Sequence, residues 1–490
     1  MMRRPVIYFA IAICTIFSRA AAAEEQDWSQ LIAPDVARED LAALYDGLKS
    51  GHYDLYIHRP KPEYDALYQQ TMASLDAPLS RFEFFLAAQK FTAFGNVAHA
   101  RIDFPSEAYG AFREAGGRSI PIFLRIVDGR AYVGEDYSGL ETVSPGDEIL
   151  SIDGRPMSFW LEETAKLISA DTPYIAHSLL EFSFPMYLWA VIGEQEQFEV
   201  TFAAPKGKKR TVTIPATTRT AQLAAGEGQD EQFALDFNGR ESRMLDGGVA
   251  YLRPGPFYNV EDPENLWDAT QFTAFIDDAF ASYLEAGAQN LIIDLRDNPG
   301  GDNSFSDPMI AWIADRPFRF ASKFLIRSSD EAAASNQARL DASPGAVEGV
   351  SGLFAREYAR VPRGEVFEFE IPIAHPKAGQ KFTGEVYVLV NRHSYSNAVN
   401  VAAIFQDYGW GVIAGEKTSD MATTYGAMES FTLVNSGFSV GFPKAHIIRP
   451  SGEPESDGVT PDVVIETPIV AGKDDAVLKA LLKEVENGVR

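Results

Sequence analysis

Strands and helices alternate through the second half of the chain, and this alternation constrains the fold more than any other feature. The strand-like runs are almost entirely apolar, which is typical of strands covered on both faces of a sheet. The helical runs are amphipathic. Strands are predicted at residues 249–252, 291–295, 385–390 and 412–414, and helices at residues 272–285 and 397–408. The pattern predicts an α/β core with buried, partly parallel strands.

The first half of the chain has a different pattern. Short amphipathic helices are predicted at residues 40–48, 64–75 and 82–91, and strand-like runs joined by Asp-Gly turns follow from residue 118. Such turns favour hairpins. We therefore predict a helical unit at 24–105, a β-rich domain at 106–215, a linker at 216–231, the α/β core at 232–475 and a terminal helix or tail at 476–490.

The charge and cysteine content exclude several classes of function. Lys and Arg number 43 against 69 Asp and Glu, a net charge of −26. A chain this acidic repels phosphate backbones and anionic membranes, so neither nucleic acid nor a membrane surface is expected as a partner. The lone cysteine, Cys14, excludes an intramolecular disulfide and a cysteine-rich zinc site.

The first residues have the order of a secretory signal peptide. Arg3 and Arg4 precede an apolar run at residues 6–17, and small residues follow up to Ala23. This order predicts a signal peptide at 1–23 that is removed on export, with an uncleaved membrane anchor as the alternative. We expect an exported protein, either periplasmic or secreted.

One serine lies where a strand gives way to a helix. Residues 386–400, VYVLVNRHSYSNAVN, predict a buried strand, a polar turn and a helix, with Ser396 at the junction. The unpaired N–H groups of a helix N-terminus can stabilise a developing oxyanion, so Ser396 is a candidate nucleophile. The alternative is that Ser394 or Ser396 caps the helix.

A glycine pair follows an earlier strand. Residues 291–301, LIIDLRDNPGG, end in Gly300 and Gly301, whose bare backbone lets a substrate approach closely. Their N–H groups suit an oxyanion hole, although an ordinary turn is the alternative. The acidic residues that follow lack the alternating ligand spacing of a calcium loop, and no nucleotide-binding fingerprint occurs, so no metal and no cofactor is expected.

Four runs in a fixed order resemble the C-terminal-processing and tricorn-like serine protease family. They are LIIDLRDNPGG, VLVNRHSYSNAVNVAAIFQDYG, VIAGEKT and SDGVTPDVVIE, within about residues 247–468. Residues 143–156 also resemble the strand–turn core of a PDZ domain. The resemblance implies a crotonase-like βα spiral core with a PDZ-like domain and an N-terminal helical unit. It also implies Ser396 as nucleophile, an oxyanion hole from Gly300, Gly301 and the N–H of Asn397, and polypeptide substrates.

The family divides according to the base that activates its serine. One branch uses a lysine 25 residues after the serine, where this chain has Met421, and Lys417 lies four residues too early. The tricorn-like branch uses a histidine before the PDZ domain and a distant glutamate. The matching runs imply His99 as base and Glu455 as its partner, with His393 and Glu453 as alternatives.

The prediction is an exported serine endopeptidase that cleaves extended or unfolded polypeptides with a Ser-His-Glu triad. Two alternatives stay open: a catalytically inactive peptide-binding protein of the same fold, and a serine hydrolase of small esters. The sequence leaves the oligomeric state open.

Overall fold

The chain divides into two compact units, each assembled from separate stretches of sequence. The computed structural model describes residues 27–204, 207–227, 235–262, 265–342 and 347–488, so the predicted signal peptide and Cys14 lie outside the described residues. The first unit comprises Met1–Glu231, Leu325–Glu368 and Tyr425–His446. The second comprises Gln232–Phe324, Phe369–Thr424 and Ile447–Arg490. The boundaries drawn from sequence, at residues 105, 215 and 475, stay predictions.

The helices are, in chain order, α1 (Pro34–Gly51), α2 (Lys61–Ser74), α3 (Arg81–Ala93), α4 (Ser106–Glu114), α5 (Met157–Ala165), α6 (Pro173–Ile192), α7 (Arg219–Gly226), α8 (Thr270–Glu285), α9 (Asn303–Ala311), α10 (Asp330–Ala342), α11 (Val350–Arg360), α12 (Asn397–Tyr408) and α13 (Ala476–Glu486). The strands are β1 (Leu31–Ile32), β2 (Leu79–Ser80), β3 (Arg101–Ile102), β4 (Ile122–Val127), β5 (Arg130–Asp136), β6 (Glu148–Ile152), β7 (Arg155–Pro156), β8 (Gln197–Ala203), β9 (Lys209–Pro215), β10 (Glu241–Met244), β11 (Val249–Arg253), β12 (Asn290–Asp294), β13 (Lys323–Arg327), β14 (Val366–Glu368), β15 (Glu385–Val390), β16 (Val412–Gly415), β17 (Thr424–Thr432), β18 (Ser439–Ile448) and β19 (Val463–Val464).

The second unit is built on the predicted parallel sheet. Its strand order is β10-β11-β12-β15-β16-β19, with β10 antiparallel to β11 and the other pairs parallel. Residues on one face, such as Ile293, pack with α8, α9 and α12, while residues on the other, such as Ile292, pack with α13. Both faces are therefore covered, which explains why these strands read as unbroken apolar runs. The carboxyl ends of β12 and β15 lie side by side, since Asp294 pairs with Leu389.

The first unit contains an antiparallel sheet ordered β4-β5-β6-β8-β9. Its predicted hairpin turns form: Asp128 and Gly129, at φ 50° and 72°, join β4 to β5, and Asp153 and Gly154, at φ 49° and 72°, follow β6. The same unit holds α1 to α7 and most of a second sheet ordered β14-β13-β18-β17, in which β3 pairs with β18. The predicted linker at 216–231 was wrong in part, because α7 forms within it, capped by Thr218.

Helix α6 packs against the edge strand β4. Glu181 of α6 accepts the outward-facing N–H of Ile126 (2.7 Å) and pairs with Arg125 (2.8 Å), and both charged side chains are buried. By length and composition α6 could cross a membrane, but 72% of its apolar window is buried inside the chain. It therefore serves here as a core helix, and its Glu181 carboxylate satisfies part of the edge of β4.

Candidate active site

Ser396 occupies the turn between β15 and α12 in a strained backbone conformation. Its φ is 53° and its ψ −120°, a region that costs a residue other than glycine roughly 1–3 kcal/mol. It stands at the N-cap position of α12, yet its side chain makes no capping hydrogen bond. The alternative that Ser396 caps the helix was therefore wrong. Within the described residues its hydroxyl makes no hydrogen bond, and the residue is partly exposed.

Ser394 has a purely structural environment. It is fully buried, its hydroxyl donates to the carbonyl of Leu295 at 2.8 Å, and its oxygen accepts the N–H of Asn391 at 3.1 Å. These bonds tie the turn after β15 to the end of β12. Of the two serines, only Ser396 has a hydroxyl available for chemistry.

The turn after β12 lies directly against Ser396. A Cβ built on Gly300, which has φ 86°, would lie 2.6 Å from the carbonyl oxygen of Tyr395, 2.7 Å from the nitrogen of Asn397 and 2.8 Å from Cβ of Ser396. On Gly301 a Cβ would overlap the carbonyl of Phe257. The glycine pair therefore permits a backbone approach that no other residue allows.

The N–H groups of this turn are not equivalent. That of Gly300 donates to Oδ1 of Asn298 at 2.9 Å, so it is already engaged. Those of Gly301 and Asn397 make no hydrogen bond within the described part of the chain. Gly300 is thus placed to shape the turn, whereas Gly301 and Asn397 have N–H groups available for an oxyanion.

Side-chain amides lock the two turns together. Asn298 accepts the N–H of Tyr395 on its main-chain oxygen (2.9 Å) and donates its side-chain amide to the carbonyl of Gly255 (2.6 Å). Asn391 donates its amide to Asp297 (2.8 Å) and accepts the N–H of Asp297 (3.1 Å). The glycine turn and the serine turn are therefore held in one fixed register.

The alternative base, His393, is engaged with a carboxylate. Its Nδ1 lies 3.5 Å from Oδ1 of Asp297, and both side chains are buried. Burial alone would raise the pKa of Asp297, but the hydrogen bond from His393 and the nearby guanidinium of Arg253 outweigh it and hold that pKa well below its usual range. His393 is thus buried beside Asp297, and its role as the base stays a prediction.

The two positions considered for a lysine base hold Met421 and a lysine, Lys417, that is paired with a carboxylate. Met421 is buried, and the ammonium of Lys417 lies 2.7 Å from a carboxylate oxygen of Asp457. Sequence reasoning missed the neighbouring Asp420, a fully buried residue whose Oδ2 accepts the N–H of Ser396 at 2.5 Å. No sequence pattern marks Asp420 as part of the site, because its segment, KTSDMATT, is largely polar.

Glu455 and His99 lie in different units. In the second unit, Glu455 is exposed and its N–H donates to Oε1 of Glu453 at 3.2 Å. In the first, His99 is buried and its ring bonds to the main chain of Tyr425. Burial, aided by the positive charge of Arg101, lowers the pKa of His99 to about 3, so the imidazole is neutral. The roles of both residues stay predictions.

The loop that carries His99 is anchored by another carboxylate. Asp171 accepts the N–H of Ala98 at 2.9 Å, which fixes the backbone immediately before the imidazole. No group of three or more His, Cys, Asp or Glu placed to hold a metal ion occurs among the described residues.

Residues 268–465 match peptidase family S41. The chain is a serine-type peptidase. The matched segment includes both turns described above and Glu455. A comparison with the curated proteins found no match.

Among solved structures, the chain is similar to mature CPAF, with a TM-score of 0.62 and 17% identity over 93% of this chain and 97% of that one. It is similar to CPAF complexed with lactacystin at a TM-score of 0.61 and 16% identity, over 93% and 98%. The photosystem II D1 C-terminal processing protease aligns at 0.42 and 17% identity, over 88% and 93%. The likeness to CPAF confirms the predicted fold class, a mixed α/β chain, while the PDZ-like assignment stays a prediction.

Proposed function

We propose that the chain is an exported endopeptidase that cleaves extended polypeptides with Ser396 as nucleophile, His99 as general base and Glu455 as the carboxylate that orients it. The observation that carries this proposal is the state of Ser396. Its strained backbone presents a hydroxyl without a hydrogen bond beside two N–H groups, those of Gly301 and Asn397, that also lack acceptors among the described residues.

The chemistry follows from these groups. Ser396 attacks the scissile carbonyl while the imidazole takes its proton, and the carbonyl oxygen becomes an oxyanion. The N–H groups of Gly301 and Asn397 are preorganised to accept that negative charge, which is where most rate enhancement arises. The imidazole then returns its proton to the leaving amine, and water hydrolyses the acyl-enzyme by the same steps.

A histidine base agrees better with the structure than a lysine base. A serine hydroxyl needs an adjacent base near neutral pH. Burial keeps His99 in the neutral form that a general base requires, whereas Met421 has no basic group and Lys417 is paired with Asp457. In the proposed triad, the carboxylate of Glu455 would raise the low pKa of His99 toward a useful range.

The substrate is proposed from chemistry and charge. An extended chain can pair with the exposed edge of a strand, and the net charge of −26 favours cationic or neutral segments over acidic ones. Polypeptides are therefore the proposed substrates, and no cofactor is proposed.

The test compares S396A, H99Q and E455Q with wild type on denatured casein, together with labelling by a fluorophosphonate probe. We expect S396A to lose both cleavage and labelling, and H99Q and E455Q to lose at least about 100-fold in rate. The exposed Ser282 of α8 supplies a matched control, S282A, which should behave as wild type. Full proteolysis by S396A would refute the proposal. Unlabelled wild type would favour a peptide-binding protein, and ester turnover without casein cleavage would favour a small-ester hydrolase.

A further inference from the structure

We propose that Asp420 is a positioning residue for the reaction, one that holds the Ser396 peptide in its strained conformation and thereby determines which N–H group faces the substrate. The inference rests on the proposed role of Ser396 as nucleophile. Asp420 acts through the backbone of Ser396, whose N–H it accepts.

The contact between them is short and buried. Oδ2 of Asp420 lies 2.5 Å from the nitrogen of Ser396, and the Asp420 side chain has no exposed surface. Hydrogen bonds to an ionised acceptor are roughly twice as strong as neutral ones. A strained residue persists only where its surroundings determine its conformation, and this bond acts on the strained residue itself.

The loop that carries Asp420 is fixed independently of Ser396. The main-chain oxygen of Asp420 accepts the hydroxyl of Thr418 at 2.9 Å, and that hydroxyl oxygen accepts the N–H of Val459 at 2.8 Å. The N–H of Ala422 donates to the carbonyl of Asp457 at 2.9 Å. These hydrogen bonds hold Asp420 in place, so its carboxylate can impose a conformation on the serine turn.

The bond also selects the oxyanion donors. Because the N–H of Ser396 is taken by Asp420, it cannot donate to a substrate. The next N–H, that of Asn397, has no acceptor within the described residues, and the Asn397 side chain is held by Ser306 at 3.1 Å. Loss of the carboxylate would free the N–H of Ser396 and would let the N–H of Asn397 turn away from the substrate.

The experiment uses D420A, which removes the acceptor, and D420N, which keeps an oxygen but loses the charge. A matched control is D462A, because Asp462 also accepts a backbone N–H, that of Ile413 at 2.9 Å, but at the opposite end of β16. For each full-length variant we would measure kcat, KM, the rate of fluorophosphonate labelling and the thermal midpoint.

We expect kcat and the labelling rate to fall by about 10- to 100-fold in D420A and about 3- to 10-fold in D420N, with KM within about twofold of wild type. D462A should keep its kcat even if its midpoint falls. Folded D420A with wild-type kcat would overturn the inference, and if D420A does not fold, D420N with a wild-type labelling rate would do so. An active S396A would instead overturn the proposed function, so the two failures are distinguishable.

Discussion

Replacing Gly300 with alanine tests whether the close approach of the glycine turn to the serine turn is required for activity. The added methyl would lie 2.6–2.8 Å from three atoms of residues 395–397, two of them backbone atoms that cannot swing aside. An ordinary contact begins near 3.4 Å, so the two turns would have to separate by roughly 0.6–0.8 Å.

Two effects of this substitution can be separated by magnitude. Alanine at φ 86° has a left-handed backbone conformation, which costs roughly 1–2 kcal/mol. An alanine in place of Gly287, which follows α8 at φ 70° with open space around its Cβ position, would carry the same conformational cost without a clash. G287A is therefore the matched control. A displacement near 1 Å in a catalytic constellation costs about 100-fold in rate, and G300A alone should show that loss.

The assay is cleavage of a fluorogenic peptide and fluorophosphonate labelling, normalised to folded protein by circular dichroism. Both variants should melt a few degrees below wild type, since 1 kcal/mol corresponds to about 2–4 °C in a domain of this size. G287A should retain wild-type kcat per folded molecule. If G300A cleaved as fast as G287A, the reasoning from the close approach would be wrong.

Three further predictions concern the first unit. Burial, with the charges of Arg327 and a neighbouring imidazole, lowers the pKa of His52 to about 3 from 6.5. Between these two pH values, His52 therefore binds a proton in the unfolded chain but not in the folded one. Stability should therefore fall as pH drops from 6.5 toward 3, by up to about 1.4 kcal/mol per unit, and urea melts of H52N should show a shallower slope. Removing a partner of the buried Arg125–Glu181 pair with E181A should cost about 3–5 kcal/mol in urea melts, and the double variant R125M/E181L should recover part of it. Burial opposes ionisation of Glu429, but Lys444 and a nearby guanidinium lower its pKa to about 2 from 4.5. The stability that this carboxylate contributes is therefore lost as pH falls from 4.5 to 2. The variant K444M should weaken that pH dependence.

Local patterns predicted the four central strands of the parallel sheet, β11, β12, β15 and β16, to within a residue, but not its edge strands β10 and β19. The predicted strand at 385–390 and helix at 397–408 coincide with β15 and α12. These elements are encoded locally, since an unbroken apolar run and a 3.6-residue period need no knowledge of distant contacts. The family resemblance carried by the four motifs then implied that Gly300 and Ser396 belong to one site.

Contacts between distant segments could not be predicted in the same way. That Asn298 takes the N–H of Gly300, and that Asp420 takes the N–H of Ser396, depends on rotamers and on the packing of two loops. Helix α7 was missed because its Ala- and Gln-containing segment resembles a linker in composition, although both residues favour helices. Composition describes what a segment contains, whereas the capping Thr218 decides where the helix starts.

The interleaving of the two units has a consequence for how such a chain can be cut and recombined. The sequence passes from one unit to the other after residues 231, 324, 368, 424 and 446, so neither unit corresponds to a single uninterrupted piece of gene. Expressing residues 268–465 alone would remove β10 and β11 from the parallel sheet while retaining two stretches of the other unit. A crossover between residues 232 and 446 would likewise divide both units at once. Variation in such a protein is therefore expected to accumulate by substitution and by insertion in loops, with the whole chain inherited as one block.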